Sequence, residues 1–316
     1  MIELRKVTKR YGRTEALKGV SLTAPDGCVL GLLGVNGAGK TTMLNLMTGY
    51  LPPTAGQVLV DGTDMLANPR FCKRRIGYLP EQPPLYDEMT VTAYLTFVSR
   101  LREVKAASIP GHVRDILGLC GLEEVADRPL GKLSKGYRQR AGIAQALCGD
   151  PSTLIFDEPT VGLDPRQVVE IRRLIRTLGQ THTVIFSSHL LAEVSQLCTR
   201  AAILHEGRLV WEDDLNAQRA DGHIDLRVVI AGRESEVSRA LRDAPGFRSL
   251  KALPAPAPGL AEYTLSLDEA PGEPLPQERL FRLLAARDLP LIRLEPEPTG
   301  LEDIFLRVTQ REEGNA

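Results

Sequence analysis

The sequence lacks the features that would place a protein in a membrane, outside the cell or on nucleic acid. Its 316 residues include 39 basic and 40 acidic ones, so no excess charge predicts a nucleic-acid partner or a charged membrane surface. No apolar run approaches the length of a membrane span, and residues 1–6 alternate like a strand, unlike a signal peptide. We therefore expect no direct membrane insertion and no nucleic-acid partner, with any membrane part supplied by another chain.

Cysteines are few and are not arranged as metal ligands. The chain has five, scattered along its length, and no Cys-x-x-Cys pair occurs. This usage predicts a reducing compartment and no structural metal site.

A glycine-rich turn between an apolar strand and a helix is the most informative stretch. Its residues are Gly34, Val35, Asn36, Gly37, Ala38, Gly39, Lys40, Thr41 and Thr42. Glycines let backbone N–H groups converge on a polyphosphate, and the helix N-terminus adds favourable partial charge. Lys40 can supply a full positive charge to the outer phosphates, and the Thr41 hydroxyl is placed to bind Mg²⁺. The stretch predicts a phosphate-binding loop for ATP or GTP.

Two carboxylates and a histidine follow later strands. Asp157 and Glu158 end the apolar run 153–156, at the sheet edge where ligands of parallel sheets gather. Asp157 suits the Mg²⁺ shell, and Glu158 suits a general base or a group that positions the attacking water. His189 follows the strand 183–188, and its place beyond the same edge favours a γ-phosphate contact over a structural role.

Two further features are ambiguous by themselves. Tyr11 could stack on a nucleotide base or be an ordinary half-buried strand residue. Ser134 predicts a helix cap, and Gly136 leaves the helix entry bare. This second helix N-terminus could face an anion, although many helices begin in this way.

In their order along the chain, these motifs resemble the nucleotide-binding subunit of ATP-binding cassette (ABC) proteins. The resemblance implies an ATP-hydrolysing subunit that uses Mg²⁺ and dimerises around two ATP molecules. It also implies a separately encoded, multi-spanning membrane permease, an exporter, driven from the cytoplasmic face of the cell membrane. Because all the motifs stand on one chain, a homodimer is the simpler expectation.

The resemblance implies roles for individual residues as well. Tyr11 matches the base-stacking aromatic, and His189 matches the switch histidine. Ser134 and Gly136 belong to the signature that completes the other subunit's ATP site. Asp164 matches the loop that communicates across the dimer. Asp157 and Glu158 match the metal-binding and catalytic carboxylates.

This chain departs from the family pattern at a few positions. Lys135 and Tyr137 stand where the usual signature has glycine and glutamine. Glu81 aligns with the family's glutamine, while Gln82 lies one position later. Either side chain could reach Mg²⁺ and the water, and the alignment favours Glu81.

The implied fold is an α/β P-loop cassette with a mixed-sheet core and a helical subdomain at about residues 83–145. We expect this nucleotide-binding domain to span residues 1–220. Residues 221–316 follow a βαββαβ order, which predicts a small ferredoxin-like α+β domain with a dimer-contact or regulatory role. Residues 300–309 predict a terminal amphipathic helix.

The alternative is an ABC ATPase that acts on ribosomes or DNA instead of on a permease. Members of that kind carry two cassettes in one chain, or a long coiled-coil or zinc insert. This chain has a single P-loop and no zinc-ligand spacing. The sequence therefore favours the transporter hypothesis.

Overall fold

The computed structural model describes residues 1–215, 223–268, 274–296 and Phe305. The chain divides into two compact units, Met1–Leu215 and Asn216–Ala316, and each is described by itself. Apart from Phe305, the expected terminal helix lies outside the described residues.

The first unit is built from strands and helices that alternate after an opening hairpin. Its strands are β1 (Ile2–Tyr11), β2 (Thr14–Ala24), β3 (Val29–Leu33), β4 (Ala55–Val60), β5 (Thr63–Asp64), β6 (Ile76–Leu79), β7 (Thr153–Phe156), β8 (Thr183–Ser188), β9 (Arg200–His205) and β10 (Arg208–Asp214). Its helices are α1 (Lys40–Met47), α2 (Pro69–Arg74), α3 (Val91–Leu101), α4 (Ile109–Cys120), α5 (Lys135–Leu147), α6 (Pro165–Leu178) and α7 (Leu191–Leu197).

These strands form two sheets. The first is antiparallel, in the order β2-β1-β4-β5. The second has the order β10-β9-β3-β8-β7-β6, and all its neighbours are parallel except β10 and β9. Every residue of β3, β7 and β8 is buried, which explains why the middle of each strand is apolar. The predicted α/β fold with a mixed sheet is confirmed.

One apolar core fixes the start of α1 against both sheets. Met43, Leu44 and Leu46 of α1 are fully buried in the same cluster as Ile2 of β1 and Leu30 of β3. Since the glycine-rich turn joins β3 to α1, this packing holds both ends of the turn.

The segment between β6 and β7 is helical. The Thr90 side chain caps α3 by accepting a hydrogen bond from the Ala93 N–H, and α4 ends at Gly121 in the left-handed conformation. Helix α5 packs on β6 closely enough that a Cβ on Gly77 would lie 2.0 Å from the Ala146 carbonyl oxygen. The start of α5 is therefore held beside the parallel sheet.

The second unit is a ferredoxin-like α+β fold, as the element order predicts. Its elements are β11 (His223–Ala231), α8 (Glu234–Arg242), β12 (Phe247–Leu253), β13 (Leu260–Asp268), α9 (Pro276–Ala286) and β14 (Leu291–Pro296). The strands form an antiparallel sheet in the order β12-β13-β11-β14. Alternate residues Leu226, Val228 and Ile230 are buried with Val237 of α8 and Leu280 of α9. Both helices therefore cover one sheet face.

Among the described residues, no helix has the length and apolar character needed to cross a membrane.

The buried cysteines provide a test of the packing. All five are buried, and none of them forms a disulfide. Burial raises the pKa of Cys28 to about 11 and that of Cys120 to about 12, and it also raises the pKa of Cys72 and of Cys148. Since the thiolate is the nucleophile, a raised pKa and poor access both slow alkylation.

We expect the native protein to react with a thiol reagent at mildly alkaline pH far more slowly than the denatured protein, in which all five cysteines react. Absorbance after addition of a chromogenic disulfide measures both rates. Rapid reaction of several thiols in the native protein would contradict this packing.

Candidate nucleotide-binding site

Four neighbouring parallel strands deliver the predicted motifs to one sheet edge. The glycine-rich turn follows β3, His189 follows β8, Asp157 and Glu158 follow β7, and Glu81 lies two residues beyond β6. Loops after parallel strands meet at the carboxyl edge of a sheet, where ligands bind. A cavity of about 440 Å³ lies there. It is lined by Ala16, Val35, Asn36, Gly37, Gly39, Lys40, Thr41, Thr42, Glu81, Glu158, Val161 and His189.

The turn before α1 depends on glycine at several positions. Gly37 and Gly39 have φ values of +81° and +106°, a region that side chains strongly disfavour. A Cβ on Gly34 would lie 2.5 Å from the Leu204 carbonyl oxygen. Ala38, which also belongs to this turn, is buried. Helix α1 begins without a side-chain cap, so its first N–H groups are open to an anion.

Lys40 places a buried ammonium group in the wall of the cavity. The residue is only 6% exposed. Its Nζ donates to the carbonyl oxygens of Gly34, at 2.6 Å, and Val35, at 3.3 Å. It also lies 3.4 Å from Glu158 Oε1. These acceptors compensate the charge, and phosphate oxygens are the same kind of partner.

The two carboxylates after β7 are tied to β8 by one hydroxyl. Ser187 Oγ donates to Asp157 Oδ1 at 2.6 Å and accepts a hydrogen bond from the Glu158 N–H at 2.8 Å. Glu158 has a φ of +46°, a strained backbone conformation that costs about 1–3 kcal/mol. Glu158 Oε2 lies 2.9 Å from His189 Nδ1. The Glu158 carboxylate therefore joins Lys40 to His189.

The oxygen-bearing side chains at this edge fit Mg²⁺. Thr41 and Glu81 line the cavity, and Asp157 is buried at the end of β7 next to Glu158. Hydroxyl and carboxylate oxygens are the ligands that Mg²⁺ prefers, together with phosphate oxygens and water. Gln82 is exposed and does not line the cavity.

Other predicted site residues lie outside this cavity. Ser134 caps α5 by accepting a hydrogen bond from the Tyr137 N–H at 3.4 Å. Asp164 caps α6, accepting from the N–H groups of Arg166 and Gln167 at 3.0 and 2.9 Å. The two caps are neighbours, because a Cβ on Gly136 in α5 would lie 2.6 Å from the Gln167 side chain in α6.

Tyr11 also lies outside the cavity walls. It is 46% exposed at the end of β1, and the Lys9 ammonium lies 5.3 Å from its ring centroid. Part of the ring is therefore exposed to solvent.

Sequence reasoning missed three residues of the site. Ser187, which binds both Asp157 and the Glu158 backbone, stands in the run that ends at His189, and its position two residues before the histidine was a usable signal. Ala16 and Val161 line the cavity through the fold alone, and their sequence context carries no such signal.

The comparisons with known proteins agree on one family. The family model for ABC transporters matches residues 17–161. The chain is 32% identical over 308 residues to the uncharacterized ABC transporter ATP-binding protein YxlF of Bacillus subtilis (strain 168), covering 98% of this chain and 99% of that protein. It is 34% identical over 319 residues to the Nod factor export ATP-binding protein I of Burkholderia orbicola (strain AU 1054), covering 98% and 97%.

A solved structure extends the similarity to a nucleotide-bound state. It is the dimeric structure of a post-hydrolysis state of the ATP-binding cassette MJ0796 bound to ADP and Pi. The TM-score is 0.62 at 26% identity, and the match covers 68% of this chain and 99% of that one.

The close approach at Gly34 leads to a matched pair of substitutions. Gly34→Ala should destabilise the protein by about 1–3 kcal/mol, because the methyl group meets a backbone oxygen that cannot rotate away. The same backbone shift should displace the Gly34 carbonyl from Lys40 and weaken ATP binding. Urea unfolding and nucleotide titration measure the two effects.

Gly111→Ala is the control, since a Cβ there meets nothing within 4 Å. It lies in α4, where alanine should add up to about 1 kcal/mol of stability. Equal stability of the two variants would show that the Leu204 carbonyl does not constrain the turn.

Proposed function

The chain belongs to the family of ABC transporter ATP-binding proteins, and we propose that two copies of it close around two ATP molecules to drive a separate, multi-spanning permease. As a member of this family it binds and hydrolyses ATP. The observation that carries the proposed hydrolysis chemistry is the cluster of Lys40, Glu158 and His189 around the phosphate-loop cavity.

In the proposed site each polar group has a distinct task. Lys40 binds the outer phosphates, as its buried ammonium requires anionic or carbonyl partners. Glu158 acts as the general base or positions the attacking water. His189 contacts the γ-phosphate from the neighbouring strand end.

We propose that Thr41, Asp157 and Glu81 serve the Mg²⁺ ion. Mg²⁺ neutralises phosphate charge when it is bound with ATP. Glu81 is preferred over Gln82 because Glu81 alone of the two lines the cavity. The buried Asp157 is held for this task by the Ser187 hydroxyl.

A second copy of the chain would complete the site. Ser134 and Gly136 at the start of α5 lie outside the single chain's cavity, as does Asp164 at the start of α6. A helix N-terminus brought across by a partner can bind the γ-phosphate, and a partner's loop can sense it. Dimerisation is also the state of the related cassette MJ0796. In the same proposed site, the exposed ring of Tyr11 stacks on the adenine base.

Similarity to a related protein supports the proposed permease partner and the proposed direction of export. The Burkholderia orbicola relative is a Nod factor export protein, and the match spans nearly the whole of both chains. We propose that this subunit lies in the cytoplasm at the inner face of the cell membrane, held there by its permease. The ferredoxin-like unit would provide a dimer contact or a regulatory surface.

Glu158→Gln tests the catalytic assignment. The amide keeps the shape but cannot take a proton, so turnover should fall by about 10²–10⁴ while ATP still binds. The ATP-bound dimer should then accumulate, which size-exclusion chromatography with ATP would detect. Glu206→Gln is the matched control, because Glu206 shares the φ of +46° but is exposed and does not line the cavity. Normal turnover of Glu158→Gln would remove Glu158 from this role.

A membrane pull-down tests the transporter assignment. Affinity purification of the tagged chain from gently solubilised native membranes should recover a multi-spanning protein in stoichiometric amount. Recovery of ribosomes or DNA without such a partner would overturn the permease proposal and leave the ATPase chemistry intact.

A further inference from the structure

A buried carboxylate outside the nucleotide cavity links the segments that carry Glu158 and His189. Glu193 lies in α7 and is 1% exposed. Its Oε2 accepts hydrogen bonds from Thr160 Oγ1 at 3.0 Å and from Ser188 Oγ at 2.7 Å. A buried carboxylate needs such partners, and two donors on one oxygen hold their segments together.

The two hydroxyl donors flank the proposed catalytic groups. Thr160 lies two residues after Glu158, and Ser188 directly precedes His189. Ser188 Oγ also accepts a hydrogen bond from the Leu190 N–H at 3.0 Å. The backbone is therefore held on both sides of His189 by a group bound to Glu193.

The negative charge of Glu193 has its counterion on another helix. An Nη atom of Arg172 in α6 lies 3.2 Å from Glu193 Oε1. The other Nη donates to Gln196 Oε1 at 3.3 Å. Since α6 continues the loop that follows Glu158, Arg172 adds a third anchor between that loop and α7.

Successive residues at the end of β8 are each bound to a different carboxylate. Ser187 binds Asp157, Ser188 binds Glu193, and His189 lies at hydrogen-bond distance from Glu158. Adjacent strand residues point to opposite faces, so Ser187 and Ser188 reach these partners on the two sides of the sheet. Glu193 thus supports the strand end from the face opposite Asp157.

We propose that Glu193 is a positioning residue for ATP hydrolysis. It holds the Glu158 and His189 segments at a fixed separation without lining the nucleotide cavity. This inference rests on the roles proposed above for Glu158 and His189. Displacement of a reacting group by about 1 Å can cost about 10²-fold in rate, so the contact affects turnover more than affinity.

The test uses the full-length chain and separates kcat from KM. Glu193→Gln removes the charge and leaves one acceptor oxygen for three donors. We expect kcat for ATP hydrolysis to fall by about 10–100-fold, while KM and the affinity for a fluorescent ATP analogue change by less than about 3-fold. Thermal unfolding of each variant shows that the measured protein is folded.

A second pair of variants isolates one hydrogen bond. Thr160→Val removes the hydroxyl that donates a hydrogen bond to Glu193, and it should lower kcat in the same way. Thr160→Ser keeps the hydroxyl and should restore most of that turnover. The contrast does not depend on whether Glu193→Gln folds well.

Glu262→Gln provides a matched control. Glu262 is a buried carboxylate in the second unit, and its Oε1 lies 2.6 Å from Arg227 Nε. Its substitution removes a buried carboxylate that is paired with a partly exposed arginine, and it should lower the unfolding temperature without changing kcat.

Several results would overturn the proposal. Folded Glu193→Gln and Thr160→Val with kcat within about twofold of the parent would do so. A rise in KM at constant kcat would do so as well, because it would indicate nucleotide binding. If Glu158→Gln and His189→Ala retain full turnover, the catalytic roles proposed earlier fail instead. If Glu158→Gln and His189→Ala lose turnover while Glu193→Gln and Thr160→Val keep it, only the role of Glu193 is refuted.

Discussion

The buried ammonium group of Lys40 requires acceptor oxygens around it, and the rest of the site supplies them. A cation removed from water needs acceptors, and here they are the carbonyl oxygens of Gly34 and Val35 and the carboxylate of Glu158. The glycine-rich turn supplies the first two because its backbone folds back over the helix start. Phosphate oxygens are the same kind of partner, so bound ATP would replace Glu158 beside Lys40 and release that carboxylate for the role proposed for it.

The sheet order makes that arrangement available. Strands β3, β8, β7 and β6 are neighbours, although they come from distant parts of the sequence. Each ends in a polar loop at the same edge, so Lys40, His189, Glu81 and the adjacent pair Asp157 and Glu158 converge from four separate parts of the chain. Around Glu158 the backbone is strained, with φ at +46°, and Ser187 bonds the Glu158 N–H from the adjacent strand. The buried strands and α1 provide the rigid support that such a conformation needs.

Two helix starts, those of α5 and α6, lie close together in this fold. Ser134 and Asp164 each cap their helix through backbone N–H groups, and Gly136 allows the two helix starts to approach. Ser134 stands at the family's signature position and Asp164 at its loop position, through which a second chain completes the ATP site in the proposed dimer. Local stability and the proposed assembly are therefore served by the same residues.

The sequence by itself determined the phosphate loop, the α/β cassette and the ferredoxin-like unit, because strand, turn and helix signals are local and periodic. It left Glu81 and Gln82 undecided, and the tertiary structure places Glu81 at the cavity. The position of Ser187, two residues before His189, placed it near the site. Only the tertiary structure shows that Ser187 joins Asp157 to the Glu158 backbone and that Glu193 accepts hydrogen bonds from Thr160 and Ser188. Such contacts depend on which distant strands become neighbours, and only the folded chain decides that.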